Sequence, residues 1–141
     1  MTNRLRYVYR LEEESQGLGP FTVYCPVTVS YGWDNCHPTP EEDSLSYTKK
    51  HFCAVDNKDD FIHWFSKAFL YSLSVRQREL QATWAKKAEK YGRNWVIGVY
   101  RTRAYKKGTI QLVFLKEKAE LIERVPVDTV DRLDYYDNLN R

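Results

Sequence analysis

The sequence predicts a single α+β domain: a mainly antiparallel sheet with two central helices packed on it. Three observations lead there. Short runs rich in Val, Ile and Tyr, at residues 5–10, 95–100 and 109–115, are bounded by turn residues, as strands are. Two longer runs between them carry apolar residues at helical spacing. The length of 141 residues suits one domain. At that size a core buries roughly two-thirds of the unfolded chain's surface, so folding needs no metal or disulfide.

The elements follow in order. Residues 5–10 alternate, which puts Tyr7 and Tyr9 on one face of a first strand and Arg10 on the other. The run from Glu12 to Gln16 breaks that strand, and Gly17 and Gly19 before Pro20 force a turn. Residues 21–30 can form a second strand, which Pro26 confines to an edge or splits. Residues 31–50, with Pro38 and Pro40, read as a loop whose length points to a functional or a mobile segment. Asp56 is placed to cap a helix over 56–72, with Asp59 and Asp60 favoured by the dipole in its first turn. Its buried stripe is Phe61, Trp64, Phe65, Ala68, Phe69 and Ser72. A second helix over 75–90 turns Leu80, Trp84 and Ala88 inward, and Gly92 stands where a C-terminal cap belongs. Residues 104–108 read as a hairpin turn between the strands at 95–100 and 109–115. Residues 117–122 fit either a short helix or a strand end. The domain then spans residues 1–127, followed by an acidic tail over 128–141, for which a frayed end and a docking helix are both open.

Charge is uneven along the chain. The net charge is only +3, but from Arg76 to Lys107 the basic residues outnumber their two acidic companions, Glu79 and Glu89. The tail reverses sign with Asp128, Asp131, Asp134 and Asp137. Such asymmetry fits a positive face on the middle of the fold, and it equally fits a solvated helix surface beside a charged hairpin. Within this region Arg93, Trp95, Arg101, Arg103, Tyr105, Lys106 and Lys107 interleave bases with aromatics. Pairing of the two strands would gather them into a binding surface for an acidic protein partner. Nucleic acid is a further possible ligand, through phosphate contacts and stacking. No RRM, KH or helix-turn-helix signature supports sequence-specific readout.

Three cysteines leave one unpaired in any disulfide scheme, and the polar opening carries no signal-type apolar run. No stretch approaches the roughly 18 apolar residues that a bilayer span needs. These features lead us to expect a soluble cytoplasmic protein and no membrane partner. Cys25, Cys36, His37, His51 and Cys53 lie close in sequence, yet their spacing matches no paired zinc template, so no metal is expected. His37 and Asp43 flank a proline-stiffened loop. They could act as an acid–base pair, though such residues more often bond the backbone. Arg10 could anchor an anion with its rigid fork, or it could be an exposed or Glu12-paired strand residue.

The order of these landmarks resembles a family of small proteins encoded by bacteriophages. The resemblance rests on Tyr9 and Arg10, Gly19-Pro20-Phe21, and His37-Pro38-Thr39-Pro40-Glu41-Glu42-Asp43. It continues through His51-Phe52-Cys53-Ala54, Trp64-Phe65 and Gln111-Leu112-Val113-Phe114. It implies an accessory protein, in the bacterial host's cytoplasm, that binds a host macromolecule and inhibits a defence or nucleic-acid-handling complex, an anti-CRISPR-like role. The plan is more distantly similar to ADP-ribosyltransferase-like folds. That similarity implies NAD as cofactor, with Arg10, His51 and Gln111 at the catalytic positions. Gln111 carries no charge to oppose an oxocarbenium-like transition state, which makes a binding protein without catalytic residues or cofactor the stronger expectation.

Overall fold

The computed structural model describes residues 3–14, 51–65, 72–92, 94–108 and 112–141, apart from the side chains of Trp64, Leu73 and Tyr91. Among them the fold is α+β, with two three-stranded antiparallel sheets and three helices. In the first sheet β3 (Trp95–Thr102) lies between β1 (Arg6–Glu13) and β6 (Glu120–Pro126). In the second, β5 (Leu112–Leu115) lies between β2 (His51–Ala54) and β4 (Tyr105–Lys107). The expected single sheet is thus two. They meet at one bridge, where Tyr9 and Val55 exchange N–H···O bonds of 2.7 and 3.1 Å.

Two strand boundaries differ from expectation. β1 continues through Glu12 and Glu13 instead of breaking there, because both side chains are buried and Glu12 finds ionic partners inside. Residues 105–107 form β4 where a turn was expected, and β4 pairs with β5 and not with β3. The chain leaves β3 at a tight turn in which the Ala104 N–H bonds Thr102 Oγ1 at 2.9 Å, and it crosses there into the second sheet. The ambiguous stretch after Leu115 is both things in succession, a 3-10 turn at Lys116–Lys118 and then β6.

The first helix, α1 (Lys58–Phe65), starts behind Asn57 and not behind Asp56. The Asp60 N–H donates to Asn57 Oδ1 at 2.8 Å, and Asn57 Nδ2 donates back to the Asp60 carboxylate at 2.9 Å. That reciprocal pair satisfies orphan groups at the helix start. Phe61, Ile62 and Phe65 are buried, whereas the Trp64 side chain and residues 66–71 lie outside the described residues. The second helix, α2 (Leu73–Tyr91), buries Leu80 and Trp84, and packs Ala88 against the same core. Gly92 closes it in the left-handed region at φ 65°, its N–H bonded to the Ala88 carbonyl, as the sequence predicts. Trp84 Nε1 donates to the Phe65 carbonyl at 3.0 Å and so ties the two helices together.

The acidic end of the chain is a docking element. A 3-10 segment at Val127–Arg132 leads into α3 (Leu133–Asn140). Val130, Leu133 and Tyr136 are buried in one cluster with Tyr9, Ile97 and Trp84. Each such aliphatic side chain contributes about 1.5–3 kcal/mol by leaving water. Asn140 completes the docking. Its amide accepts from the Tyr7 N–H at 2.7 Å and donates to the Tyr7 carbonyl at 2.8 Å, as a neighbouring strand would. With the Tyr9–Val55 bridge beside it, this covers the free edge of β1.

The first sheet therefore has two covered faces. Helices pack on the side of Tyr9, Leu11, Ile97 and Val99, and the second sheet packs on the side of Val8 and Tyr100 through Ala54, Leu112 and Phe114. The expected turn at Gly17–Pro20, the strand at 21–30 and the loop at 31–50 lie outside the described residues. Among the described residues no helix is long and apolar enough to cross a membrane.

Candidate functional site

Strand register sets Arg10, Gly98 and Arg124 in one row across the first sheet, on the face that meets the second sheet. Glu12 leans over this row. A Cβ on Gly98 would sit 2.5 Å from Glu12 Oε1 and 2.8 Å from the Tyr100 ring, so only glycine leaves the slot open. The Glu12 carboxylate is fully buried. It accepts from Arg10 Nη1 at 2.7 Å, and the Tyr100 hydroxyl lies 2.9 and 2.8 Å from its two oxygens. Arg124 Nε donates to it at 3.4 Å, and the Lys116 ammonium stands 3.8 Å away. Phe52 floors the cluster, with the Arg10 guanidinium 4.8 Å and the Lys116 ammonium 5.3 Å from its ring centre.

A carboxylate this deep is tolerated only among ionic and hydrogen-bonding partners. Burial, then the Glu12 charge, push the Tyr100 phenol well above its ordinary range, which keeps it a donor. Burial pulls the Lys116 ammonium down, and the charges of Arg10 and Arg124 add to that against the pull of Glu12. The reading of Arg10 as paired to Glu12 holds, whereas Gly98, Tyr100, Lys116 and Arg124 were not among the sequence candidates. Two signals pointed to them: a glycine inside an apolar strand, and Arg and Glu two residues apart on one strand face.

The predicted binding residues separate. Trp95 is only 5% exposed and packs edge-on against Trp84, so it belongs to the core and is no surface anchor. Tyr105 is half-buried and donates to the Arg4 carbonyl at 2.9 Å. Arg101 faces Glu120 across the strand pair at 2.5 Å, and Arg103 is exposed beside it with its guanidinium on the Asn3 carbonyl. Lys106 and Lys107 alternate on β4, and so point to opposite faces of the second sheet. Lys107 reaches the buried Asp56 carboxylate at 2.8 Å, which Arg6 also holds at 3.0 Å. Arg93 and the Tyr91 side chain lie outside the described residues.

Part of the acidic end is paired internally. Lys58 spans Asp131 and Asp134 at about 3 Å, and Arg132 grips Glu123. What stays together is a depression of about 850 Å³ at the end of β3, lined by Leu5, Arg101, Arg103, Ala104, Lys118 and Ala119 together with Glu117 and Glu120.

Of the residues that the transferase resemblance implies, Gln111 lies outside the described residues. Arg10 is buried against Glu12 and Phe52. His51 alternates with Phe52 on β2 and so faces away from Arg10. Burial, then the Lys106 charge, hold the His51 imidazole below its ordinary range. Cys25, Cys36, His37 and Asp43 lie outside the described residues. Among the described residues no group of three or more His, Cys, Asp or Glu is placed to hold a metal ion.

A family model described as Bacteriophage T4 Y00F protein matches residues 1–128, a stretch that carries the six strands of the described residues and stops short of α3. No curated protein and no solved structure matches the chain.

Proposed function

The chain belongs to the Bacteriophage T4 Y00F protein family, and from that premise we propose that it is a phage accessory protein that acts by binding a host macromolecule. The partner is a host protein or ribonucleoprotein with an acidic surface, met in the host cytoplasm. Its engagement interferes with a defence or nucleic-acid-handling complex. The interference part of this reading rests on analogy with small phage proteins.

One observation carries the binding reading. The depression at the end of β3 is wide and open, with Leu5, Ala104 and Ala119 among Arg101, Arg103 and Lys118. Leu5 is 39% exposed, an apolar contact point with the cations Arg101, Arg103 and Lys118 and the carboxylates Glu117 and Glu120 around it. An apolar centre with a charged rim suits a macromolecular face, whereas small-molecule sites enclose their ligand. The charges of the interior are turned toward one another: Glu12 is spent on Arg10 and Tyr100, an arrangement that fixes side chains rather than offering a reactive one.

The test is a pull-down of tagged protein from host lysate with partners identified by mass. Arg101 and Lys107 are poor sites for charge reversal, because each already neutralises a carboxylate of this chain. Arg103→Glu with Lys118→Glu is the informative variant. It should unfold at the wild-type temperature and lose the partner that wild type retains, and wild-type retention should weaken with salt. Undiminished capture of the same partner by the double variant would place the working surface elsewhere.

A further inference from the structure

We propose that Lys116 and Arg124, held over the Glu12–Arg10 pair, form a binding site for a phosphate group. The site is distinct from the β3 depression and does not depend on the function proposed for that surface. The argument starts from charge balance. Glu12 is neutralised by Arg10 at 2.7 Å and hydrogen-bonded by Tyr100. Two further cations converge on the same carboxylate at longer range, Arg124 at 3.4 Å and Lys116 at 3.8 Å. Across these side chains three positive charges face one negative charge.

Both surplus cations reach solvent, with side chains 39% and 29% exposed, so the excess lies at the mouth of the cluster and not inside it. Arg124 spends its Nε on Glu12. That leaves its two Nη groups, the donors suited to a bidentate oxyanion contact. The Lys116 ammonium is anchored on the Phe52 and Tyr100 ring faces at 5.3 and 5.6 Å, and shares the Glu12 carboxylate with Arg124.

Burial disfavours the charged form of this half-buried ammonium, and the Arg10 and Arg124 charges add to that against the pull of Glu12. A doubly charged oxyanion between Lys116 and Arg124 gives both of these cations an anionic partner at the solvent side of the cluster. The tetrahedral phosphate group matches this in charge and in acceptor number. It could come from inorganic phosphate or from the terminus of a nucleotide.

Titration calorimetry and thermal unfolding of the full chain test the site. The probes are inorganic phosphate and a nucleoside monophosphate, each compared with chloride at equal ionic strength. Both phosphates should raise the unfolding temperature beyond the chloride control. Lys116→Gln with Arg124→Gln should weaken binding by at least about tenfold, as loss of charge-assisted bonds does. Lys86→Gln, on the exposed side of α2, should bind as wild type does. Tighter binding of the nucleoside monophosphate than of phosphate assigns a nucleotide, and equal binding assigns the free anion. No increment over chloride overturns the proposal, as does an increment that the double variant keeps. Calorimetry reads the loss of affinity in any variant that circular dichroism shows to be folded. Lys116→Gln and Arg124→Gln, tested singly, serve if the double variant fails to fold.

Discussion

The two faces of β1 solve burial in opposite ways. From Tyr7 to Leu11 the odd face is built of apolar surface, with Tyr9 and Leu11 packed among Phe61, Trp84, Ile97 and Leu133. The even face starts with Val8 and then carries Arg10 and Glu12, both buried, in a slot that Gly98 leaves open. The first face is held by nondirectional burial, which tolerates repacking. The second depends on donors and acceptors at fixed distances, and it fails if one partner is removed. One strand therefore carries both a forgiving core and an exacting one. In a small phage protein, directional chemistry is placed where the sheet gives it a rigid frame.

The comparison can be broken first on the apolar side. Trp84→Ala removes the ring that joins α2 to Trp95 and Phe65, and should cost about 3–5 kcal/mol by denaturant unfolding. That loss should not vary with salt. A cost under about 1 kcal/mol would mean that the helices are not part of the main core.

Glu12→Gln tests the polar side, with an expected loss of about 3 kcal/mol, because it keeps the shape and leaves Arg10 buried beside a neutral amide. Wild-type stability in this variant would show the pair to be dispensable. Gly98→Ala sharpens the same point sterically and should cost about 1–3 kcal/mol by displacing the carboxylate. Val99→Ala, one residue on and on the apolar face, gives the reference for an ordinary cavity in the same strand.

The smallest effect is a pH slope at the docked C-terminus. Burial raises the Asp137 carboxyl above its ordinary range, although the Tyr9 hydroxyl and the Lys58 N–H both donate to it and pull the other way. A raised carboxyl holds its proton better folded than unfolded. Its contribution is therefore full below the ordinary carboxyl range and is lost as pH climbs through the raised folded value. Asp137→Asn should gain on wild type as pH rises from the ordinary carboxyl range toward neutrality. A difference that stays constant with pH would show that Asp137 titrates normally.

How much of this was legible beforehand differs between elements. The α2 helix was readable because Leu80, Trp84, Ala88 and Gly92 carry local signals, spacing and a cap, that need no partner to interpret. The cap at Asn57 was misassigned to Asp56, because either residue can cap and only the fold assigns Asp56 to Arg6 and Lys107. The split into two sheets was hidden, since strand pairing is non-local and the turn at Thr102 looks like a hairpin start. For the same reason the basic residues from Arg101 to Lys107, contiguous in sequence, part company in space. The interior cluster was the least visible. Glu12 resembles a strand breaker until Arg10, Tyr100 and Arg124 are brought around it.

The most direct test of the central claim, that Arg10 and Glu12 are coupled partners on a rigid face, is a double-mutant cycle with Arg10→Met and Glu12→Met, read by equilibrium unfolding. Each single variant removes one side of the Arg10–Glu12 pair and leaves the other charge buried, whereas the double variant removes both charges. The account predicts that the double variant loses at least about 2 kcal/mol less than the sum of the singles. Losses that add within about 0.5 kcal/mol would contradict it, and would leave Arg10 acting independently of Glu12.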